Sequence, residues 1–184
     1  MNFKEWLENQ EDPRIQAAWQ KHIKPQMIVY RGLRLCPDSI NKKIRDVLLT
    51  PFKENYRFDH WTVDFNVAAS AGRGTGLWTN GPNKGTACGL QNTFYIIVEA
   101  QITPQDVDKE EFARVVTGTG VSKSAGVDSY FEQELEIPVL KQAYNNIKLV
   151  SYSLKLPNGQ FNKYNKPLAE VLKELGFPNN YPGQ

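Results

Sequence analysis

The segment Phe94-Tyr95-Ile96-Ile97-Val98-Glu99-Ala100-Gln101-Ile102 carries the clearest strand pattern in the chain. Apolar residues recur there at alternate positions, namely Phe94, Ile96, Val98 and Ile102. Successive side chains of a strand point to opposite faces, so this alternation predicts a β-strand with one buried face.

Further strands are predicted on both sides of this segment. Residues 27–30 form a short apolar run, which we expect to be a strand that places Arg31 at its end. Residues 57–63 alternate more loosely, and residues 147–156 form a last strand. The glycine-rich stretches 72–89 and 117–128 are typical of long loops.

Helices are predicted mainly near the two ends of the chain. Phe3, Trp6 and Leu7 recur at helical spacing, and Asp12-Pro13 is typical of an N-cap followed by proline in the first turn. Later helix starts are predicted at Ser39, at Asp64 or Asn66, at Thr103-Pro104 and at Lys166-Pro167, the last helix ending at Gly176. Early and late helices with strands between them favour an α+β fold over a doubly wound one.

Composition indicates one domain of ordinary type, covering residues 1–184. Of its 184 residues 40% are hydrophobic and 23% charged, and the net charge of +2 does not indicate a nucleic-acid partner. Cys36 and Cys88 do not make a disulfide framework, and no Cys/His cluster has zinc spacing, so no metal is expected. Without a secretory signal or membrane-span pattern, we expect a cytoplasmic protein, acting in its own cell or in a host cell.

Two short motifs in the first half of the chain could bind a ligand. In Tyr30-Arg31-Gly32, the arginine fork suits phosphate or ribose oxygens, and the glycine lets a ligand approach the backbone. In His60-Trp61-Thr62, the histidine and the hydroxyl share a strand face and could hold a nearby carboxylate. Taken alone, the first motif is better explained by an ordinary surface arginine before a turn, and the second by a half-buried strand histidine with a hydrogen-bonded threonine.

The heptapeptide Glu132-Gln133-Glu134-Leu135-Glu136-Ile137-Pro138 is the most specific motif. As a strand it would present Glu132, Glu134 and Glu136 on one face and apolar residues on the other. The alternative is a solvated acidic edge of an amphipathic strand. Three acids in a row repel one another, so an opposing arginine would help to hold them together.

Taken together and in this order, the three motifs resemble those of the mono-ADP-ribosyltransferases with an Arg…Ser-x-Ser…Glu-x-Glu signature, the cholera-toxin-like branch. The resemblance implies a toxin or an effector of bacterial or phage origin. The resemblance covers about residues 28–154 and implies a split, mainly antiparallel β-sandwich. It implies a helical lead-in over residues 1–26, a catalytic core over 28–156 and a C-terminal helix over 165–176. The family's two serines would fall on His60 and Thr62, of which only Thr62 keeps a hydroxyl.

The resemblance implies that NAD+ is the co-substrate and that ADP-ribose passes to a protein, with release of nicotinamide. Glu134 would stabilise an oxocarbenium-like transition state, and Glu132 would orient and deprotonate an arginine acceptor. Arg31 would hold the NAD+ phosphate or ribose. The other implied site residues are Gly32, His60, Trp61 and Thr62 for NAD+, and Tyr130 and Phe131 for the acceptor.

Two alternatives remain open from the sequence. One is an NAD+ glycohydrolase on the same fold, with water as the acceptor. The other is a non-catalytic binding module, whose acidic strand faces solvent or a basic partner. The acceptor protein is not identified by the sequence, and no membrane partner is expected.

Overall fold

The fold is seen in a computed structural model that describes residues 12–39, 42–49, 58–70, 76–78, 81–118, 136–156 and 158–176. Within these ranges, six strands form one antiparallel sheet in the order β4-β2-β1-β3-β5-β6. The strands are β1 (Met27–Leu35), β2 (Phe58–Thr62), β3 (Phe94–Ile102), β4 (Glu136–Leu140), β5 (Lys148–Lys155) and β6 (Phe161–Tyr164).

The described helices are short and lie between or beyond the strands. They are α1 (Pro13–His22), α2 (Ile44–Leu49), α3 (Phe65–Ser70), α4 (Lys109–Val116) and α5 (Leu168–Glu174). Single 3₁₀ turns occur at Pro37–Ser39, Leu90–Asn92 and Pro104–Asp106, and a longer one at Lys141–Asn145. The predicted α+β class is therefore confirmed, as is the mainly antiparallel sheet.

Strands β1 and β3 form the centre of the sheet. They pair over nine residues, from Met27 opposite Ile102 to Leu35 opposite Phe94. The prediction that Arg31 ends its strand is wrong, because Arg31 and Gly32 pair with Val98 and Ile97 in mid-strand. The apolar run ends at Tyr30, but the strand continues to Leu35, because the later residues of β1 also pair with β3.

The two faces of the sheet are covered differently. The first face carries Val29 and Val98, both fully buried, and forms one core with α1 and α4. Trp19 of α1 and Phe112 of α4 meet edge to face there, with ring centroids 5.0 Å apart. On the second face, Phe65 of α3 packs edge to face on Tyr30 at 5.6 Å. We call these the core face and the α3 face.

Several local predictions are confirmed by the helix termini. Asp12 caps α1, since its carboxylate accepts the Arg14 amide at 2.9 Å. Asp64 precedes α3 and accepts the Asn66 amide at 2.7 Å. Ser39, by contrast, ends a 3₁₀ turn, and α2 begins only at Ile44, so the predicted cap at Ser39 is wrong.

Other predictions differ from the structure or fall outside its described part. The described strands form a single sheet, so the expected split into two packed sheets is not seen within these ranges. Helix α4 and strand β6 were not anticipated. The predicted first helix, at residues 3–7, lies outside the described residues.

A disulfide joins Cys36, directly after β1, to Cys88, and both residues are buried. This pairing could not be predicted, because a separation of 52 residues along the chain says nothing about the distance between the two cysteines in space. A Cβ added at Gly76 would lie 3.0 Å from the carbonyl carbon of Leu35 and 3.1 Å from the Cys36 sulfur, so a larger residue there would require these neighbours to shift by a few tenths of an ångström. Disulfides persist mainly in oxidising compartments, whereas the sequence led us to expect a cytoplasmic protein.

Among the described helices, none is both long and apolar enough to cross a membrane.

Candidate functional site

The sheet order brings the sequence motifs onto three neighbouring strands. Tyr30 of β1 is the Cα partner of Thr62 in β2, and Thr62 is in turn the partner of Glu136 at the start of β4. The antiparallel register then places Arg31 beside Trp61. Residues more than a hundred positions apart in sequence are thus brought together on three neighbouring strands on one side of the sheet.

Arg31 is part of a hydrogen-bonded network on the core face. Its Nη1 lies 2.6 Å from Asp59 Oδ2 and donates to the Tyr144 hydroxyl at 3.1 Å. Tyr144 donates to Asp59 Oδ2 at 2.9 Å and accepts the indole N–H of Trp61 at 3.1 Å. Lys141 approaches the same carboxylate at 3.7 Å. The Tyr144 hydroxyl therefore joins a cation, a carboxylate and an indole.

The environment keeps Arg31 charged. Burial by itself lowers the pKa of Arg31, but attraction to Tyr144 and Asp59 outweighs it, and the net direction is upward. Burial also raises the pKa of the Tyr144 phenol well above its usual value, against the opposing effect of Arg31. The contacts of Arg31 with described residues all use Nη1, and 25% of its side chain stays exposed. Among the described residues, none makes a hydrogen bond or an ion pair with Nε or Nη2 of Arg31.

A second polar group lies on the α3 face. The side chains of His60 and Glu136 lie there, with His60 Nδ1 3.4 Å from Glu136 Oε2. Thr62 is buried on the same face, and its hydroxyl accepts the amide of Asp64 at 3.1 Å. Burial lowers the pKa of His60 and Arg31 adds to this effect, while Glu111 and Asp59 oppose it. At neutral pH His60 is therefore a neutral imidazole.

The predicted site residues thus divide between the two faces of one sheet. Arg31 and Trp61 lie on the core face, whereas His60 and Thr62 lie on the α3 face with Glu136, because neighbouring residues of a strand point to opposite sides. Gly32 lies in mid-strand, paired with Ile97. The remaining predicted site residues, Tyr130, Phe131, Glu132 and Glu134, lie outside the described residues.

Asp59 and Tyr144 take part in this network and were missed by the sequence analysis. A signal for Asp59 was present, since strand alternation places its carboxylate on the same face as the buried Trp61. A charged group in that position needs a cationic partner. Tyr144 had no comparable signal, because it lies in a 3₁₀ turn after β4.

No protein-family profile, curated protein or solved structure matches this chain. Within the described ranges, no group of three or more His, Cys, Asp or Glu side chains is arranged to hold a metal ion.

Proposed function

We propose that the protein transfers ADP-ribose from NAD+ to an arginine side chain of another protein and releases nicotinamide. The observation that supports this proposal is the sheet order β4-β2-β1, which sets Arg31, His60-Trp61-Thr62 and Glu136, the last glutamate of the acidic motif, on adjacent strands. The chain enters β4 at Glu136, two residues after Glu134 and opposite Thr62. The last residues of the acidic motif, Glu136-Ile137-Pro138, therefore lie in the strand beside the one that carries His60-Trp61-Thr62.

In this proposal Glu134 stabilises the cationic transition state, and Glu132 serves the acceptor arginine. Charge stabilisation of this kind is worth about a hundredfold or more in rate. Thr62 and His60 would support the acidic motif from the strand beside it. The split, two-sheet architecture of the family that the motifs resemble also belongs to this proposal.

Arg31 has a more restricted role than the sequence suggested. Its Nη1 is already held by Asp59 and Tyr144, so only the outer N–H groups of the fork would contact an NAD+ phosphate or ribose oxygen. Because Arg31 and Thr62 lie on opposite faces of the sheet, they would not contact the same group of the dinucleotide. Asp59 would then fix the orientation of the fork.

The same network favours one second candidate, the non-catalytic binding module. An arginine paired to a half-buried carboxylate is fully accounted for by structural stabilisation of β1 against β2. In that case the acidic strand would contact a basic partner and NAD+ would not be cleaved. An NAD+ glycohydrolase is a variant of the main proposal with water as the acceptor.

The decisive experiment measures free nicotinamide and labelled protein in one reaction with labelled NAD+ and a host lysate. We expect both products with the wild type and neither with Glu134→Gln, which keeps the side-chain shape and removes its charge. Glu170→Gln, an exposed change on α5, is the matched control and should leave both products unchanged.

The outcomes distinguish the candidates. Nicotinamide without labelled protein would identify a glycohydrolase. Absence of both products, together with no NAD+ binding at millimolar concentration, would favour the binding module. A Glu134→Gln variant with near wild-type turnover would refute the assignment of Glu134.

A further inference from the structure

Lys141 is a second cation at the carboxylate that holds Arg31. Its Nζ lies 3.7 Å from Asp59 Oδ2, the same oxygen that Arg31 Nη1 contacts at 2.6 Å. The two cationic nitrogens are therefore close neighbours, because both lie within 3.7 Å of one atom. The sequence analysis did not identify Lys141 as a candidate site residue.

The 3₁₀ turn after β4 places Lys141 at this position. The turn spans Lys141–Asn145 and begins directly after the last residue of β4. Because a 3₁₀ helix has three residues per turn, the side chains of Lys141 and Tyr144 lie on the same side of it. Both side chains reach Asp59 Oδ2, to which the Tyr144 hydroxyl donates at 2.9 Å. One helical turn therefore supplies a hydrogen-bond donor and a positive charge to the same carboxylate.

The side chains of Arg31, Asp59, Tyr144 and Lys141, which we call the Asp59 group, carry one positive charge in excess. Two cations share a single carboxylate. The pKa of the Tyr144 phenol is raised by burial, so its hydroxyl stays neutral at ordinary pH. Among the described residues, no second carboxylate forms an ion pair with Arg31 or Lys141. The Asp59 group therefore attracts an anion with one negative charge.

Both cations of the Asp59 group have N–H donors that form no hydrogen bond with the described residues. An ammonium has three donors, and the 3.7 Å contact of Lys141 is too long for a hydrogen bond. Arg31 uses only Nη1. The described side-chain atoms that are buried without a partner do not include Lys141 Nζ or the Nε and Nη2 of Arg31. These nitrogens are therefore in contact with solvent, and the side chains of Lys141 and Arg31 are 21% and 25% exposed.

We propose that Lys141 and Arg31 together bind the pyrophosphate of NAD+. The inference rests on the proposed function for the identity of the ligand. Phosphate oxygens accept charge-assisted hydrogen bonds at about 2.7–2.9 Å, and the two cations are close enough for one phosphate to contact both. Each phosphate of a dinucleotide carries one negative charge at neutral pH, which matches the excess charge of the Asp59 group. Lys141 is therefore a binding residue of the proposed site.

The test is calorimetric titration of the full chain with ADP-ribose, which has the pyrophosphate but no nicotinamide. Lys141→Gln should weaken ADP-ribose binding about tenfold, which is about 1.4 kcal/mol. Lys141→Arg keeps the charge and should retain most of the affinity. Adenosine lacks the phosphates and should bind the wild type and Lys141→Gln equally. Lys84→Gln changes an exposed lysine outside the Asp59 group, and this control should bind ADP-ribose normally.

Three results would overturn the proposal. These are no ADP-ribose binding by the wild type, undiminished ADP-ribose binding by folded Lys141→Gln, and an equal loss of adenosine binding in that variant. Failure of the transferase proposal is scored separately, by nicotinamide release from NAD+. Weakened ADP-ribose binding by Lys141→Gln, without nicotinamide release by the wild type, would support the phosphate site and refute the transferase. Nicotinamide release with an unchanged KM for NAD+ in Lys141→Gln would do the reverse.

Discussion

Replacing Tyr144 by phenylalanine should destabilise the protein strongly, although it removes a single oxygen atom. Tyr144 is 1% exposed, and its hydroxyl contacts Arg31, Asp59 and the indole of Trp61. The change leaves the Trp61 N–H buried without an acceptor, which costs about 1–3 kcal/mol. It also removes hydrogen bonds to two charged groups, each worth about 1.5–3 kcal/mol. Because Arg31 and Asp59 still contact each other at 2.6 Å, only part of that second cost applies. We expect a loss of about 3 kcal/mol in the free energy of unfolding.

The chain offers a matched control in Tyr152→Phe. Tyr152 is also buried, at 4% exposed, but its hydroxyl makes no hydrogen bond with the described residues. Removing that hydroxyl should leave the free energy of unfolding unchanged or slightly higher. Both variants are compared with the wild type by urea unfolding followed through tryptophan fluorescence. Equal effects of the two substitutions would refute the network as a source of stability.

Three further predictions concern the proposed site. Arg31→Lys keeps the charge but loses the planar fork, so NAD+ binding should weaken about tenfold or more by titration. Unchanged affinity in a folded variant would assign Arg31 to the Asp59 network alone. Glu132→Gln should lose transfer to protein but keep nicotinamide release, because a guanidinium needs a base to become nucleophilic. If both products fall together, Glu132 serves the NAD+ step, and an adduct on a residue other than arginine would contradict the acceptor assignment. The pKa of His60 is lowered in the folded state, so the unfolded chain binds more protons. Stability should therefore fall as pH drops below about 6.5, and His60→Gln should flatten that part of the pH profile, as measured by urea midpoints. An unchanged slope would show that other groups cause it.

The local parts of the fold could be predicted where the sequence pattern is self-contained. The alternation in residues 94–102 gave the bounds of β3, and Asp12-Pro13 gave the start of α1. Helix α4 had a usable signal in Asp108, which caps it through the Glu111 amide at 3.1 Å. Strand β6, with only four residues, had little periodicity to detect.

The site could be predicted only in part, because its assembly depends on pairing between distant strands. The motif residues were identified from the sequence, but the opposite faces of Arg31 and Thr62 follow from a register that only the sheet defines. A slip of one residue in β1 would exchange Tyr30 and Arg31 between the faces. The long pairing of β1 with β3 prevents such a slip. No local pattern in residues 27–30 predicted that pairing.

The disulfide between Cys36 and Cys88 closes the chain into a covalent ring. The ring includes α2, β2 and α3, and therefore the motif His60-Trp61-Thr62, whereas Arg31 and Glu136 lie outside it. A protease that cuts once anywhere within this ring leaves both pieces joined in one molecule. They separate on a denaturing gel only after reduction, so a single nick near β2 would pass unnoticed in a non-reducing preparation.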